Sequence, residues 1–193
     1  MKKILTQVVL LLLLAGTMVY APQLLNGAVK KEINKMKTLV VYYSYTGNTE
    51  LVAKTVASEI SADVLKVEDA EKPGKLKVYF SGSFAAKRGR SWPIKTINVL
   101  LKDYDRIFIG APVWAGKAAP EINAYIEQAE LKGKAVVVFV TMGGSKSDEA
   151  IQSLTAKVEA REGKVVSSFS VKTGGTKKDE IVTKAKEAAR QYK

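Results

Sequence analysis

Neither cysteine nor histidine occurs anywhere in the 193-residue chain. Without thiols there is no disulfide framework, no thiolate metal site and no cysteine nucleophile. Without imidazoles the chain lacks the commonest general base, the commonest metal ligand and the Ser-His-Asp arrangement. No metal site is therefore expected, and no side chain is assigned a catalytic role. Chemistry has to come from carboxylates, lysines, tyrosines and hydroxyls, or from a bound cofactor. Dense Lys/Arg tracts and nucleic-acid recognition motifs are also missing, so nucleic acid is not expected as a partner.

What is present is an excess of positive charge, 31 Lys and Arg against 19 Asp and Glu, a net +12. Residues 1–35 hold five lysines and one glutamate, which leaves +8 on the remainder. A basic surface favours anionic partners, acidic proteins or anionic lipid among them, although scattered solvated lysines give the same count.

The N-terminal stretch has two lysines and then no charge from Ile4 to Val29. Its apolar block, Ile4 to Leu25, would be about 33 Å long as a helix, which matches a hydrocarbon core of about 30 Å. An uncleaved membrane anchor is the expectation. Export with cleavage after Val19-Tyr20-Ala21 competes with it, but Pro22 follows that site directly. A cytoplasmic chain starting at Met36 is a third possibility. Lysines flank both ends of the block, so the side of the membrane is open. The expected organisation is residues 1–35 as anchor or signal plus linker, and residues 36–193 as one domain.

From Met36 onward strand-like and helix-like segments alternate. Strands are expected at 38–43, 63–68 (an edge strand with one wet face), 106–110, 135–140 and 165–171. Helices are expected from about 49 to 61 and over 120–130, 148–161 and 178–192, with another near 95–101. Near-continuous apolar strands between amphipathic helices imply a parallel sheet covered on both faces, an α/β domain of three layers.

Ligands of such sheets bind beyond the carboxyl ends of the strands, where the strand order reverses. Three loops lie there. The first is Ser44-Tyr45-Thr46-Gly47-Asn48-Thr49. Thr46 and Asn48 can cap the following helix, whose free N–H groups would then converge on an anion, with hydroxyls at Ser44, Thr46 and Thr49 as further donors. No Gly-Lys-Ser/Thr ends it and no G-x-G-x-x-G is present, so a single phosphate monoester fits better than a triphosphate or dinucleotide. A capped helix with no ligand is the plainer reading.

The second loop is Ala111-Pro112-Val113-Trp114-Ala115-Gly116, where Trp114 could stack on a flat ligand or fold back over a helix. The third runs from Thr141 through Met142, Gly143, Gly144 and Ser145, and its two glycines permit either close approach to a ligand or a tight exit turn.

The three loops, in this order and at these separations, resemble the FMN-binding loops of flavodoxin-like proteins over residues 37–193. The resemblance implies an open five-stranded parallel sheet in the order 2-1-3-4-5. It places the FMN phosphate in residues 44–49 and the flavin ring between the Trp114 loop and the Gly143-Gly144 loop, with the peptide near Ala115-Gly116 close to flavin N5. Departures from the carrier flavodoxins are a third loop without an aromatic, a basic domain and an apolar N-terminus. Around Phe80 to Arg88 the chain is more like a bacterial flavodoxin-like branch. There Gly82 could approach the ring edge, or Phe80 and Phe84 could form a helix face.

Three functions follow as expectations. One is an FMN electron carrier between redox partners at a membrane, with an acidic protein partner favoured by the charge. Another is an NAD(P)H-dependent FMN reductase acting on quinones or similar acceptors. The third is a flavin-free binding module on the same fold.

Overall fold

Two surfaces of alternating side chains explain why residues 38–42, 106–114 and 135–142 become strands. Leu39, Val41, Ile107, Ile109, Val136 and Val138 point into one buried cluster, while Val40, Tyr42, Phe108, Val137 and Phe139 point into the other. Segments apolar on both faces satisfy the pleat only when helices cover both sides. The computed structural model describes residues 36–71, 83–88, 90–144 and 146–193. Residues 37–193 make one compact unit. The apolar segment 4–25 lies outside the described residues, and among the described residues no helix is long and apolar enough to cross a membrane.

In chain order the elements are β1 (Thr38–Tyr42), α1 (Asn48–Ile60), β2 (Asp63–Lys66), α2 (Ser83–Lys87), β3 (Arg106–Trp114), β4 (Lys117–Ala118), α3 (Pro120–Gln128), β5 (Ala135–Met142), α4 (Asp148–Glu159), β6 (Lys164–Lys172) and α5 (Lys178–Ala189). The sheet order is β2-β1-β3-β5-β6, all parallel, with β4 antiparallel on β3. With β4 set aside, this is the expected 2-1-3-4-5 order. β2 is the expected edge strand with exposed residues. Helices α3 and α4 cover the Ile107 face, and α1 and α5 cover the Phe108 face. The order reverses between β1 and β3, which opens a crevice at their carboxyl ends.

Two expectations are corrected. Residues 95–101 are not helical; the chain runs extended and ends in a 3-10 turn at Leu101–Asp103. Ile97, Val99 and Leu101 recur every second residue, a strand-like period, and they pack on the Ile107 face. The third strand does not stop at Gly110. It continues to Trp114, pairing Pro112 with Thr141 of β5 and Trp114 with Lys117 of β4. Residues 111–114 are therefore strand, not loop.

Candidate functional site

At the carboxyl end of β1, Ser44 begins a turn into α1. Gly47 stands at the N-cap with φ 91°, a left-handed conformation that glycine adopts without strain. Its N–H donates to Ser44 Oγ at 3.1 Å, and its carbonyl accepts the first helical bond from Leu51 N–H at 2.9 Å. No side chain caps the helix, so the expected capping by Thr46 and Asn48 does not occur. The physical reason is that a glycine N-cap carries no side-chain acceptor, while Asn48 is already inside the helix. The N–H groups of the first turn precede the first helical bond, so they are available to an anion. Thr46 and Asn48 are exposed beside them.

Thr49 points elsewhere. It is buried, and its hydroxyl hydrogen-bonds Thr141 Oγ1 at 2.7 Å, tying the first loop to the end of β5. A second tie runs from Asn48 Nδ2 to Thr173 Oγ1 at 3.5 Å. Thr173 N–H in turn donates to the Met142 carbonyl at 2.8 Å. Residues 173–174, just after β6, thus join the site as a fourth loop that the sequence reading missed. Gly174 lies so close to Gly143 that a Cβ there would come within 2.6 Å of the Gly143 Cα. The available signal was Thr173-Gly174-Gly175-Thr176, a small polar run at the same end of the sheet.

The other wall is aromatic. Ala115 (φ 48°) and Gly116 (φ 84°) form the two-residue turn joining β3 to β4, with consecutive positive φ values as primed hairpin turns require. Trp114, at the base of that turn, is half-buried. Its ring meets Tyr43 edge-on at 5.9 Å and Tyr45 edge-on at 6.2 Å. It is therefore held by the aromatic residues just past β1. Lys117 pairs with Glu149 of α4 at 2.8 Å, pinning the hairpin.

Between the walls lies an open cleft with a cavity volume of about 190 Å³, smaller than the roughly 300–1,000 Å³ of typical small-molecule pockets. Thr46, Asn48 and Thr49 line one side, Pro112, Val113 and Trp114 the other, and Thr141 to Gly143 with Thr173 and Gly174 close the end. Among the described residues no carboxylate lines it. Donor-rich at one end and apolar at the other, it suits a group with a phosphate and a flat ring. Ser44, Tyr45, Gly47, Ala115, Gly116 and Gly144 belong to the surrounding loops, and Ala111 to β3, but none of them lines the cleft. Ser145, like Phe80 and Gly82, lies outside the described residues.

The strongest electrostatic feature sits beneath the aromatic wall. Glu121, in the first turn of α3, is 1% exposed, and its Oε2 has no hydrogen-bond partner among the described residues. Burial pushes its carboxyl up to about 8; nearby Asp69 pushes the same way, against its own backbone N–H and Tyr43. Tyr43 donates to Asp69 at 3.2 Å, and burial, with Glu121 and Asp69 close by, raises its hydroxyl far above its ordinary value. On the hydroxyl side the opposite holds. Hydrogen bonds from Lys54 (2.6 Å) and Lys66 (3.0 Å) lower Glu50 to about 2.

Comparison with known proteins agrees with this geometry. The profile of the family described as Flavodoxin matches residues 37–180. A flavoprotein of Lactobacillus acidophilus, solved in complex with FMN, superposes with a TM-score of 0.62 at 25% identity, covering 77% of this chain and 97% of that one. Oxidised Flavodoxin 2 of Bacillus cereus shares the fold, with a TM-score of 0.55 at 20% identity over 81% of this chain and 97% of its own. In sequence, the NAD(P)H dehydrogenase (quinone) 3 of Rhizobium meliloti is 30% identical over 129 residues, which are 63% of this chain and 60% of that protein. The chain spans between 46% and 60% of the length of the first three curated relatives it matches.

Proposed function

The chain belongs to the flavodoxin family, and from that premise we propose that it binds FMN in the four-loop cleft and carries electrons between redox partners. The observation that carries this reading is the pairing of free N–H groups at the start of α1 with the Trp114 wall across one cleft. Asn48, Thr49 and Glu50 N–H, with the side chains of Thr46 and Asn48, hold the phosphate. Trp114 on one side and Gly143-Gly144 on the other flank the ring. FMN, when bound, supplies the one- and two-electron chemistry, so no catalytic side chain is needed.

What the protein contributes is position and electrostatics. Pro112, Val113 and Trp114 keep water from one face of the ring. That apolar wall, with no cation among the described lining residues, disfavours negative charge on the reduced ring and makes it a stronger reductant. The apolar block at residues 4–25 supports holding this domain at a membrane, and alkaline extraction of cell membranes tests that placement. A net +8 on residues 36–193 supports an acidic redox partner.

The full-length chain, purified in detergent, should retain added FMN through desalting and show a flavin absorbance spectrum that dithionite bleaches. A chain that releases all FMN on desalting leaves only the flavin-free binding module. The names of the sequence relatives favour a second reading, an NAD(P)H-dependent reductase acting on quinones. Rapid quinone-dependent NADH oxidation by the loaded chain would place it there; none would leave the carrier.

A further inference from the structure

Three groups from three separate elements meet beneath the Trp114 wall: Tyr43 just past β1, Asp69 just past β2 and Glu121 at the start of α3. All lie toward the carboxyl end of the sheet, the end that carries the cleft. Tyr43 is the hinge of the arrangement. Its hydroxyl donates to Asp69 at 3.2 Å, and its ring edge supports Trp114 at 5.9 Å. Glu121 is shut off from water, with one oxygen bonded to nothing among the described residues.

We propose that Glu121 is a proton-holding positioning residue for the aromatic wall: protonated, it lies against Asp69 beneath Tyr43, and losing that proton loosens the Tyr43–Trp114 support and weakens the cleft's hold on FMN. The proposal rests on the FMN reading for its ligand but not for its coupling.

The physical reasoning starts from cost. A buried carboxylate beside another carboxylate is expensive when no cation pairs with it, and among the described residues no ion pair reaches Glu121, so a proton there relieves the cost. An O–H on Glu121 can point at Asp69, leaving Asp69 free to accept from Tyr43. Removing that proton sets two like charges side by side, next to Tyr43, whose hydroxyl bonds Asp69 and whose ring meets Trp114. A rearrangement that admits water must then pass through Tyr43, and it reaches Trp114 through the ring contact. The added negative charge also opposes an anionic ligand in the adjoining cleft.

The other groups around Glu121 give little relief. Its own helix N-terminus favours the charged form, through a backbone N–H, but burial outweighs it. Pro120 precedes it and accepts from Trp92 N–H, while Asn123 is taken up by the Arg90 carbonyl. Lys117 on the hairpin is paired with Glu149. Arg88 and Arg90, on the segment after α2, are exposed. Tyr125, one turn on, is buried with its own hydroxyl unpartnered among the described residues.

The test uses the full-length chain with Trp92→Phe, which leaves Trp114 the sole tryptophan. Emission is followed from pH 7 to 9.5, above the second phosphate pKa of about 6, so that FMN itself keeps its charge. Without flavin, Trp114 emission should shift to the red through a single transition that Glu121→Gln abolishes and Asp69→Asn moves to lower pH. With FMN, the dissociation constant should rise roughly tenfold over the same interval, a coupling of about 1.4 kcal/mol, and stay flat in Glu121→Gln.

An emission transition that persists in Glu121→Gln, or that Asp69→Asn leaves in place, overturns the inference. An FMN constant flat in the parent chain overturns it as well. A chain that binds no FMN but keeps the Glu121-dependent transition sinks the flavin reading and upholds the coupling to Trp114.

Discussion

The two walls of the cleft are built on opposite economies. On the hydroxyl side four residues are tied down, Ser44 with Gly47, Thr49 with Thr141, Asn48 with Thr173 and Glu50 with two lysines, around the N–H groups left for an anion. On the aromatic side lie a non-glycine residue at φ 48°, an exposed tyrosine and a buried carboxyl with an idle oxygen. The difference teaches that the anion end is prebuilt and rigid, while the ring end holds uncompensated cost and can be tuned. Mutations on the first wall should change whether FMN binds; those on the second should change how binding and stability respond to conditions.

The largest effect should come from Glu121→Gln. A carboxyl raised from 4.5 to about 8 by burial binds more protons in the folded state than in the unfolded one between those values. Stability therefore falls as pH climbs from about 4.5 to about 8 and stays low above it. Glutamine removes that loss, so thermal melts should show the variant roughly 2–4 kcal/mol more stable above pH 8, with no gain below pH 4.5. Equal melting curves at pH 9 would break the contrast between the walls.

Gly174→Ala comes next. Its Cβ would collide with the Gly143 backbone and force the third and fourth loops apart. An overpacking cost of roughly 2–3 kcal/mol taken from the bound state weakens FMN about 30- to 150-fold by fluorescence titration. Trp114→Ala should cost about tenfold in FMN affinity and shift the flavin potential, because it removes the stacking surface and unsupports Tyr45. Thr49→Val leaves the buried Thr141 hydroxyl without its partner and should lower stability by about 1–2 kcal/mol in denaturant melts. Smallest of all, Glu50→Gln breaks two solvent-screened pairs and should cost under about 1 kcal/mol at neutral pH.

The contrast also explains what could be read in the sequence. β1, β3 and β5 are buried on both faces, which writes near-continuous apolar runs, and their alternation with helices implied the layers, while the strand order followed from the resemblance of the three loops. Loop one was legible because glycine and hydroxyls cluster in six consecutive residues. The capping assignment failed since the same composition serves a glycine N-cap equally well. The continuation of β3 was hidden by Pro112, which has no N–H to give; its carbonyl nonetheless accepts Ala119 N–H at 3.1 Å. Thr49 and Thr141 are 92 positions apart, and Tyr43, Asp69 and Glu121 come from three elements. No local pattern marks such meetings; only the strand order brings them together.

The account's central claim is that the start of α1 holds a phosphate and Trp114 a flavin ring. Titrating the full-length chain with FMN and with riboflavin, which lacks the phosphate, tests it most directly. FMN should bind with a one-to-one stoichiometry and at least about 100-fold more tightly than riboflavin, the worth of two or so charge-assisted hydrogen bonds. Equal affinity for the two, or no binding of either, would contradict it.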